Sequence, residues 1–248
     1  MPSPRTFLRS AMAFCAYAAV STAAYASGLQ VTPVSVSIPD RASVIWLSND
    51  ATTPLRAQVR VFRWTQEDNQ DKLEPTQDVL ASPPFIEIEP GGRQVVRLVR
   101  FSQAVQTLTD CETPYRILVD ELPTIESGSR TGLDFRLQYS IPVYLTSEGC
   151  DDARPKLSWT VTQNGHSARL NVVNLGQTHA QLGSISFVDS QGNQTELNDG
   201  LLGYVLPGAQ RSFALAVPPS TFAGGGQFKV MLNGAQATEP LSLAASSK

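Results

Sequence analysis

Residues 133–145 carry an apolar side chain at every second position, and this pattern constrains the fold more than any other in the chain. A period of two is that of a β-strand and not of a helix, so these side chains would lie on one face of a strand. Pro142 lies within the segment, and because proline cannot donate a hydrogen bond to a neighbouring strand, an edge position is predicted. A long apolar edge strand favours aggregation. Its presence therefore indicates a strand that pairs with another polypeptide.

The N-terminal residues have the features of a signal peptide. Arg5 and Arg9 precede an apolar run at residues 11–20, and Ala24 and Ala26 flank Tyr25 as in a cleavage site. We predict removal of residues 1–26 and export of the remainder. The apolar run is shorter than the ~20 residues of a membrane span, so no membrane insertion is expected. The formal net charge of −3 gives no indication of a nucleic-acid partner.

Two cysteines, Cys111 and Cys150, remain after cleavage, because Cys15 lies in the signal. An even pair in an oxidising compartment predicts a disulfide, and two free thiols are the disfavoured alternative. The cysteines flank a predicted hairpin of residues 115–122 and 133–145. A bridge at the open end of this hairpin would fix its register and add ~3 kcal/mol of stability.

The chain is predicted to be all-β, because no long segment has helical periodicity and turn residues recur throughout. Seven strands in the first half, separated by turns such as the one at residues 89–92, indicate an immunoglobulin-like β-sandwich. These strands are predicted at residues 30–38, 43–48, 55–65, 85–88, 94–101, 115–122 and 133–145. Trp46, Phe62 and Trp64 are predicted to lie in the core or at its rim.

A second domain is predicted after a polar linker at residues 148–156. Its strands are predicted at residues 157–162, 168–173, 180–188, 203–206, 212–217 and 227–232. The predicted organisation is a signal peptide (residues 1–26), an N-terminal domain (27–148) and a C-terminal domain (149–248), and both domains have an ordinary domain size.

Residues for catalysis or metal binding do not occur in recognisable patterns. His166 and His179 have no partner at zinc-ligand spacing, and the sequence contains neither a nucleophile elbow nor a phosphate-binding loop. We therefore expect a protein that is not an enzyme and that uses no cofactor or metal.

Several motifs resemble the periplasmic pilus-assembly chaperones of chaperone–usher systems. They are PPFIEIEPGG at residues 83–92, VVRL at 95–98 and YRILVDELP at 115–123. FRWTQ at 62–66 and GYVLPG at 203–208 resemble the branch that serves archaic-type pili. The resemblance covers nearly the whole mature chain. It implies two immunoglobulin-like domains set at an angle with a cleft between them, and a periplasmic location.

The resemblance also implies a mechanism, in which a chaperone lends an edge strand to a pilus subunit that lacks its last strand and delivers the subunit to an outer-membrane usher. The implied donor residues are Leu133, Phe135, Leu137, Tyr139 and Ile141, of which the first three match the family pattern best. Alternatively, the same alternation packs the protein's own core, and both interpretations can hold along one strand. Self-association of the free form remains open.

The sequence departs from the family where two basic residues would clamp the subunit's terminal carboxylate. These positions fall at or near Ser35 and at Pro142, neither of which is cationic. Arg116 is predicted to replace the clamp, with an ion pair inside the protein as the alternative role, and Arg136 and Arg63 are weaker candidates.

A family glutamate that orients the two domains corresponds to Glu121, but its arginine partner falls at Thr146. A rival interpretation is a structural pilus subunit or adhesin with an immunoglobulin-like fold. Such a subunit needs an alternating N-terminal extension, for which residues 27–31 are too short. A secreted carbohydrate-binding module is a third interpretation, and it would need exposed aromatic side chains on a flat face.

Overall fold

The structure, a computed structural model, describes residues 28–101, 111–123, 136–164 and 167–242. These residues form two β-sandwiches, which confirms the predicted all-β fold class with two immunoglobulin-like domains. In the described ranges, no helix has the length and apolar character needed to cross a membrane. The predicted domain boundary at residues 148/149 falls between the last strand of the first sandwich and the first strand of the second, and it stays a prediction.

The first sandwich packs a four-stranded sheet, in the order β1-β3-β8-β6, against a six-stranded sheet, in the order β2-β10-β9-β4-β5 with β7 paired to β4. The strands are β1 (Leu29–Thr32), β2 (Val36–Ile38), β3 (Ala42–Asn49), β4 (Leu55–Glu67), β5 (Gln70–Pro75), β6 (Val79–Ser82), β7 (Phe85–Ile88), β8 (Arg93–Arg100), β9 (Glu112–Leu122) and β10 (Gln138–Thr146).

The strand predicted at residues 30–38 is two strands in two sheets. β1 pairs antiparallel with β3, whereas β2 pairs parallel with β10. Pro33 follows the end of β1, and because it has no N–H it cannot continue a ladder there. The N-terminal segment therefore crosses from one sheet to the other, and β2 covers part of the edge of β10.

The strand predicted at residues 55–65 is longer and forms a hairpin with β5, which the sequence reasoning did not predict. Asp68 and Asn69 form its two-residue turn, with φ angles of 51° and 62°. Positive φ at both central residues is typical of a type I′ hairpin turn, for which Asp and Asn are favoured residues. The turn forms the end of the β4–β5 hairpin, and this end contacts the second sandwich.

The second sandwich packs a sheet of order β11-β12-β16 against a sheet of order β14-β13-β17-β18, with β15 paired to β13. The elements are β11 (Leu157–Asn164), β12 (Ser167–Asn174), β13 (Ala180–Asp189), β14 (Gln194–Asn198), β15 (Gly203–Val205), β16 (Gln210–Leu215), a 3-10 helix (Pro219–Phe222), β17 (Gly226–Leu232) and β18 (Ala235–Pro240). Trp159, Phe187 and Phe228 are fully buried in its core.

Of the three aromatic residues expected in or near the first core, Trp64 alone is fully buried, and it packs with the core of the second sandwich. Trp46 is exposed at the surface, where the Arg93 guanidinium lies 4.1 Å from its ring centroid. Phe62 is half-buried. The side chain of Trp64 therefore links the two sandwiches.

A fully buried asparagine closes one corner of the first sandwich. Asn49 Nδ2 donates to the carbonyl oxygens of Thr53 (2.8 Å) and Ile88 (2.9 Å), and its Oδ1 accepts the N–H of Ala51 (2.9 Å). The side chain therefore bonds to backbone groups of a turn and of β7.

The second sandwich has the same corner around Asn174. Its Nδ2 donates to the carbonyl oxygens of Thr178 (2.8 Å) and Val205 (3.0 Å), and its Oδ1 accepts the N–H of Gly176 (2.9 Å). In both corners, one Nδ2 acceptor lies four residues after the asparagine and the Oδ1 donor lies two residues after it. The two sandwiches therefore share a structural device that a sequence period does not reveal.

The predicted disulfide is confirmed between Cys111 and Cys150, whose Cα atoms are 5.4 Å apart. It lies beside the paired residues Glu112 and Thr146, at the open end of the β9–β10 hairpin.

Candidate functional site

The strand β10 is paired on both sides along only part of its length. It pairs with β9 from Gln138 to Thr146, but β2 covers only the segment from Val143 to Leu145. Among the described residues, the segment from Gln138 to Pro142 therefore has a ladder partner on one side and a bare backbone edge on the other. An exposed edge of this kind is a template for pairing with another chain.

The apolar face of β10 passes from the core to the surface along the strand. Ile141 is 3% exposed in the core of the first sandwich, and Tyr139 packs beside that core and donates from its hydroxyl to the Leu29 carbonyl oxygen (2.6 Å). Leu137 is 38% exposed. Two further residues of the predicted donor set, Leu133 and Phe135, lie outside the described residues.

Pro142 lies where the bare edge ends. It pairs with Arg116 in the register with β9, and its neighbour Val143 is the first residue that β2 covers. Ser35, the other position at which a basic clamp residue was expected, is exposed in the turn before β2.

Arg116 lies between the two sandwiches, in contact with one aromatic ring from each. Its guanidinium carbon is 3.7 Å from the centroid of the Trp64 ring and 4.9 Å from that of Tyr204. Its Nη1 donates to the Ser140 carbonyl oxygen (3.3 Å). Burial lowers the pKa of Arg116, and the nearby Tyr144, Tyr204 and Asp71 oppose this shift. An arginine nevertheless keeps its charge at physiological pH.

The other arginine candidates lie in different surroundings. Arg63 is exposed and pairs with Asp78 at 3.3 Å. Arg136 is exposed directly before β10. Among the described residues, no carboxylate lies within ion-pair distance of Arg116.

Tyr204, on β15 of the second sandwich, is held by hydrogen bonds from both sandwiches. Gln66 Nε2 donates to the Tyr204 carbonyl oxygen (3.0 Å), and Gln66 Oε1 accepts the N–H of Leu206 (2.9 Å). Gln181 Nε2 donates to the Tyr204 hydroxyl (3.2 Å). Both the backbone and the ring of Tyr204 are therefore fixed.

A buried carboxylate and a histidine join the sandwiches on the same side. Glu112 is 5% exposed, and its carboxylate accepts the backbone N–H of His179 (2.8 Å) and lies 2.9 Å from the His179 Nδ1 atom. The His179 ring stacks on Tyr144, with ring centroids 3.7 Å apart. The Tyr144 hydroxyl is buried, and this burial raises the pKa of Tyr144. Because its backbone and its ring both contact residues of the first sandwich, His179 has a structural role at the junction.

Two exposed polar contacts complete the junction at the end of the β4–β5 hairpin. Asn69 bonds to the N–H (2.6 Å) and the carbonyl oxygen (3.1 Å) of Ser212, and Arg211 pairs with Asp71 at 2.9 Å. The cleft between the sandwiches has a volume of about 250 Å³ and is lined by residues of both, including Trp64 and Leu206.

Glu121, which the sequence comparison placed in domain orientation, bonds within the first sandwich. Its carboxylate accepts the N–H of Leu137 (3.3 Å) at the start of β10. The Thr146 carbonyl oxygen accepts a bond from Arg100 Nη1 (3.2 Å). Contacts of Glu112, Gln66 and Asn69 join the sandwiches instead.

The sequence reasoning did not assign Tyr204, Glu112 or His179 to the junction. Tyr204 belongs to the GYVLPG motif at residues 203–208, which resembles the archaic-type branch of the family, but no local pattern links Tyr204 to Arg116 on β9. The described ranges contain no group of three or more His, Cys, Asp or Glu side chains arranged to hold a metal ion.

Solved structures with the same fold extend over most of the chain. A chain of the CsuC–CsuE chaperone–tip adhesion subunit pre-assembly complex, from archaic chaperone–usher Csu pili of Acinetobacter baumannii, is 24% identical with a TM-score of 0.68, covering 88% of this chain and 99% of that one. The Pseudomonas aeruginosa CupB2 chaperone is 17% identical with a TM-score of 0.58, covering 86% and 100%. A chain of the Salmonella enterica SafA pilin–SafB chaperone complex is 18% identical with a TM-score of 0.62, covering 88% and 99%.

No curated protein sequence matches the chain. The family described as pili and flagellar-assembly chaperone, PapD N-terminal domain, matches residues 28–149, which include every strand of the first sandwich. Residues 28–149, which form the first sandwich, therefore belong to the family of pilus-assembly chaperones.

Proposed function

We propose that the protein is a periplasmic chaperone, not an enzyme, that binds pilus subunits by strand addition at β10 and delivers them to an outer-membrane usher. The observation that carries this proposal is the backbone edge from Gln138 to Pro142, which no described strand covers and which ends where β2 begins to pair. Family membership and the chaperone–subunit complexes among the similar structures support the same function.

The apolar donor face has two parts in this proposal. Ile141 and Tyr139 secure the strand in the chaperone's own core, while Leu137 and, beyond it, Phe135 and Leu133 fill the groove of the subunit. An added strand would end at Pro142, because β2 occupies the edge from Val143 onwards. A complex with ladder pairing that continues past Pro142 would contradict this register.

Three side chains do not suffice for tight binding. Full burial of a large apolar side chain yields ~1.5–3 kcal/mol, and Leu137 is already partly buried. Association costs an estimated ~4–15 kcal/mol in translational and rotational freedom. Ladder hydrogen bonds and an anchor at the end of the strand must supply the difference. Arg116 is the proposed anchor for the subunit's terminal carboxylate, since its charge has no ion-pair partner among the described residues.

Substitution of the donor face tests the function directly. Phe135→Glu and Leu137→Glu should each reduce subunit capture at least tenfold, because a carboxylate would enter an apolar groove without a partner. Capture is measured by co-expression in the periplasm, purification of the tagged full chain and identification of the bound protein by mass spectrometry.

Leu175→Glu is the matched control. Leu175 is 66% exposed in the second sandwich, so the same change alters the surface without reaching the β10 edge. Capture by this variant should equal that of the unmodified protein. Undiminished capture by both donor-face variants would refute strand addition at β10.

A further inference from the structure

Tyr204 lies in the second sandwich, yet its ring contacts the arginine proposed to bind the client. The ring centroids of Trp64 and Tyr204 are 5.4 Å apart and their planes meet at 79°. Arg116 lies against both rings. The two aromatic side chains therefore form a corner, which we call the aromatic corner, with the guanidinium inside it.

The environment of Arg116 differs from that of the other arginines near it. Arg60 pairs with Asp120 at 2.8 Å, and Arg211 pairs with Asp71 at 2.9 Å. These guanidinium groups use in-plane N–H donors on carboxylates of the protein. Arg116 uses one in-plane donor on the Ser140 carbonyl oxygen, and its other recorded contacts are with aromatic rings.

The two kinds of contact use different parts of a guanidinium. An aromatic ring attracts the cation through the π-face and does not consume N–H donors, whereas a carboxylate binds the in-plane N–H fork. An arginine held by rings is thus restrained in position while most of its donors remain available. A carboxylate of the protein in the same place would restrain the side chain but occupy the donors that a ligand needs.

We propose that Tyr204 is a positioning residue for carboxylate recognition: with Trp64 it holds Arg116 in the aromatic corner, so that the second sandwich contributes to client affinity through a residue that need not touch the client. This inference rests on the proposed anchoring role of Arg116. The bond from Gln66 on β4 to the Tyr204 carbonyl oxygen crosses the junction and makes the corner dependent on the alignment of the two sandwiches. Gln181 fixes the Tyr204 hydroxyl within the second sandwich.

The test compares two forms of one synthetic peptide with alternating apolar residues, a free C-terminal carboxylate and a C-terminal amide. Binding to the full mature chain is measured by titration calorimetry. The unmodified protein should bind the acid at least tenfold more tightly than the amide, and Arg116→Ala should abolish this difference. Tyr204→Leu should reduce the acid-to-amide ratio about fivefold and leave amide binding unchanged. Tyr204→Phe should keep the ratio, because it keeps the ring.

The outcomes separate this inference from the proposed function. Failure of the unmodified protein to bind either peptide would contradict strand addition, and equal binding of acid and amide would refute Arg116 as the anchor. A normal preference for the acid that persists in Tyr204→Leu would overturn the positioning role alone. Equal losses of acid and amide binding in Tyr204→Leu would also overturn it, since that result indicates general damage to the junction. Thermal unfolding of each variant confirms that it is folded.

Discussion

The Asn49 corner of the first sandwich and the Asn174 corner of the second share two side-chain bonds at the same spacing, but the sheets around them end differently. In the second sandwich, the outer strands of the larger sheet, β14 and β18, are short and rich in small or polar residues. In the first, β10 leaves an edge bare beside an apolar face. Polar outer strands protect a sheet against unwanted pairing. The difference indicates that two sandwiches with a shared scaffold differ in how their sheets end, and the proposed function uses the edge of the first.

The largest expected difference between the sandwiches comes from the disulfide, which joins two residues that flank the β9–β10 hairpin. Cys111→Ser with Cys150→Ser should destabilise the first sandwich by about 3–4 kcal/mol, since the bridge closes a loop with a sequence separation of 39. Hydrogen exchange at increasing urea concentrations reports on each sandwich separately. The second sandwich should unfold as before. An equal loss of stability in both would show that they unfold as one unit.

The asparagine corners are expected to be equivalent. Asn49→Ala and Asn174→Ala should each destabilise their own sandwich by about 3 kcal/mol, because each leaves buried backbone groups without partners. Asn198→Ala is the control, since this half-buried residue makes one side-chain bond, to the Gly200 carbonyl oxygen. The same exchange experiment measures all three variants. A small loss of stability at only one of the two corners would contradict the prediction that they are equivalent.

The junction should respond to a smaller degree. His179→Phe keeps an aromatic ring against Tyr144 but removes the bond between Nδ1 and Glu112, which should cost about 2 kcal/mol because the carboxyl group is buried and would lose a hydrogen-bond partner. Arg211→Ala removes an exposed ion pair across the same junction and should cost less than about 1 kcal/mol. Urea unfolding compares the two variants, and equal effects would contradict the special role of Glu112.

The smallest effects on stability should come from exposed leucines. Leu137→Ala and Leu175→Ala should each change the free energy of unfolding by less than about 0.5 kcal/mol. Their effects on function should differ, because only Leu137 lies on the proposed donor face. Subunit capture by the two variants is measured as described above. A loss of capture in Leu175→Ala would locate part of the client interface on the second sandwich.

Much of the fold could be predicted because its signals are local. The period-two alternation predicted the β class and the cysteine pair predicted the disulfide. Turn residues between apolar segments predicted most strands of both sandwiches. Other features were missed. Residues 30–38 were predicted as one strand although Pro33 marks the break after Thr32, and the hairpin turn at Asp68 and Asn69, just beyond the strand predicted at 55–65, was not predicted. Trp64 was expected near the first core, and its apolar character did not reveal which core it enters.

The sequence by itself determined that residues 133–145 form an alternating strand pattern, since alternation follows from the geometry of a single strand. Only the tertiary structure decided which part of that pattern is buried, because Ile141 packs in the core of the first sandwich whereas Leu137 lies at the surface. It also decided the surroundings of Arg116, which come from Trp64 on β4 and Tyr204 in the other sandwich. Contacts between residues far apart in the chain produce no periodic pattern in the sequence. The side-chain partners at the junction could therefore be identified only from the folded structure.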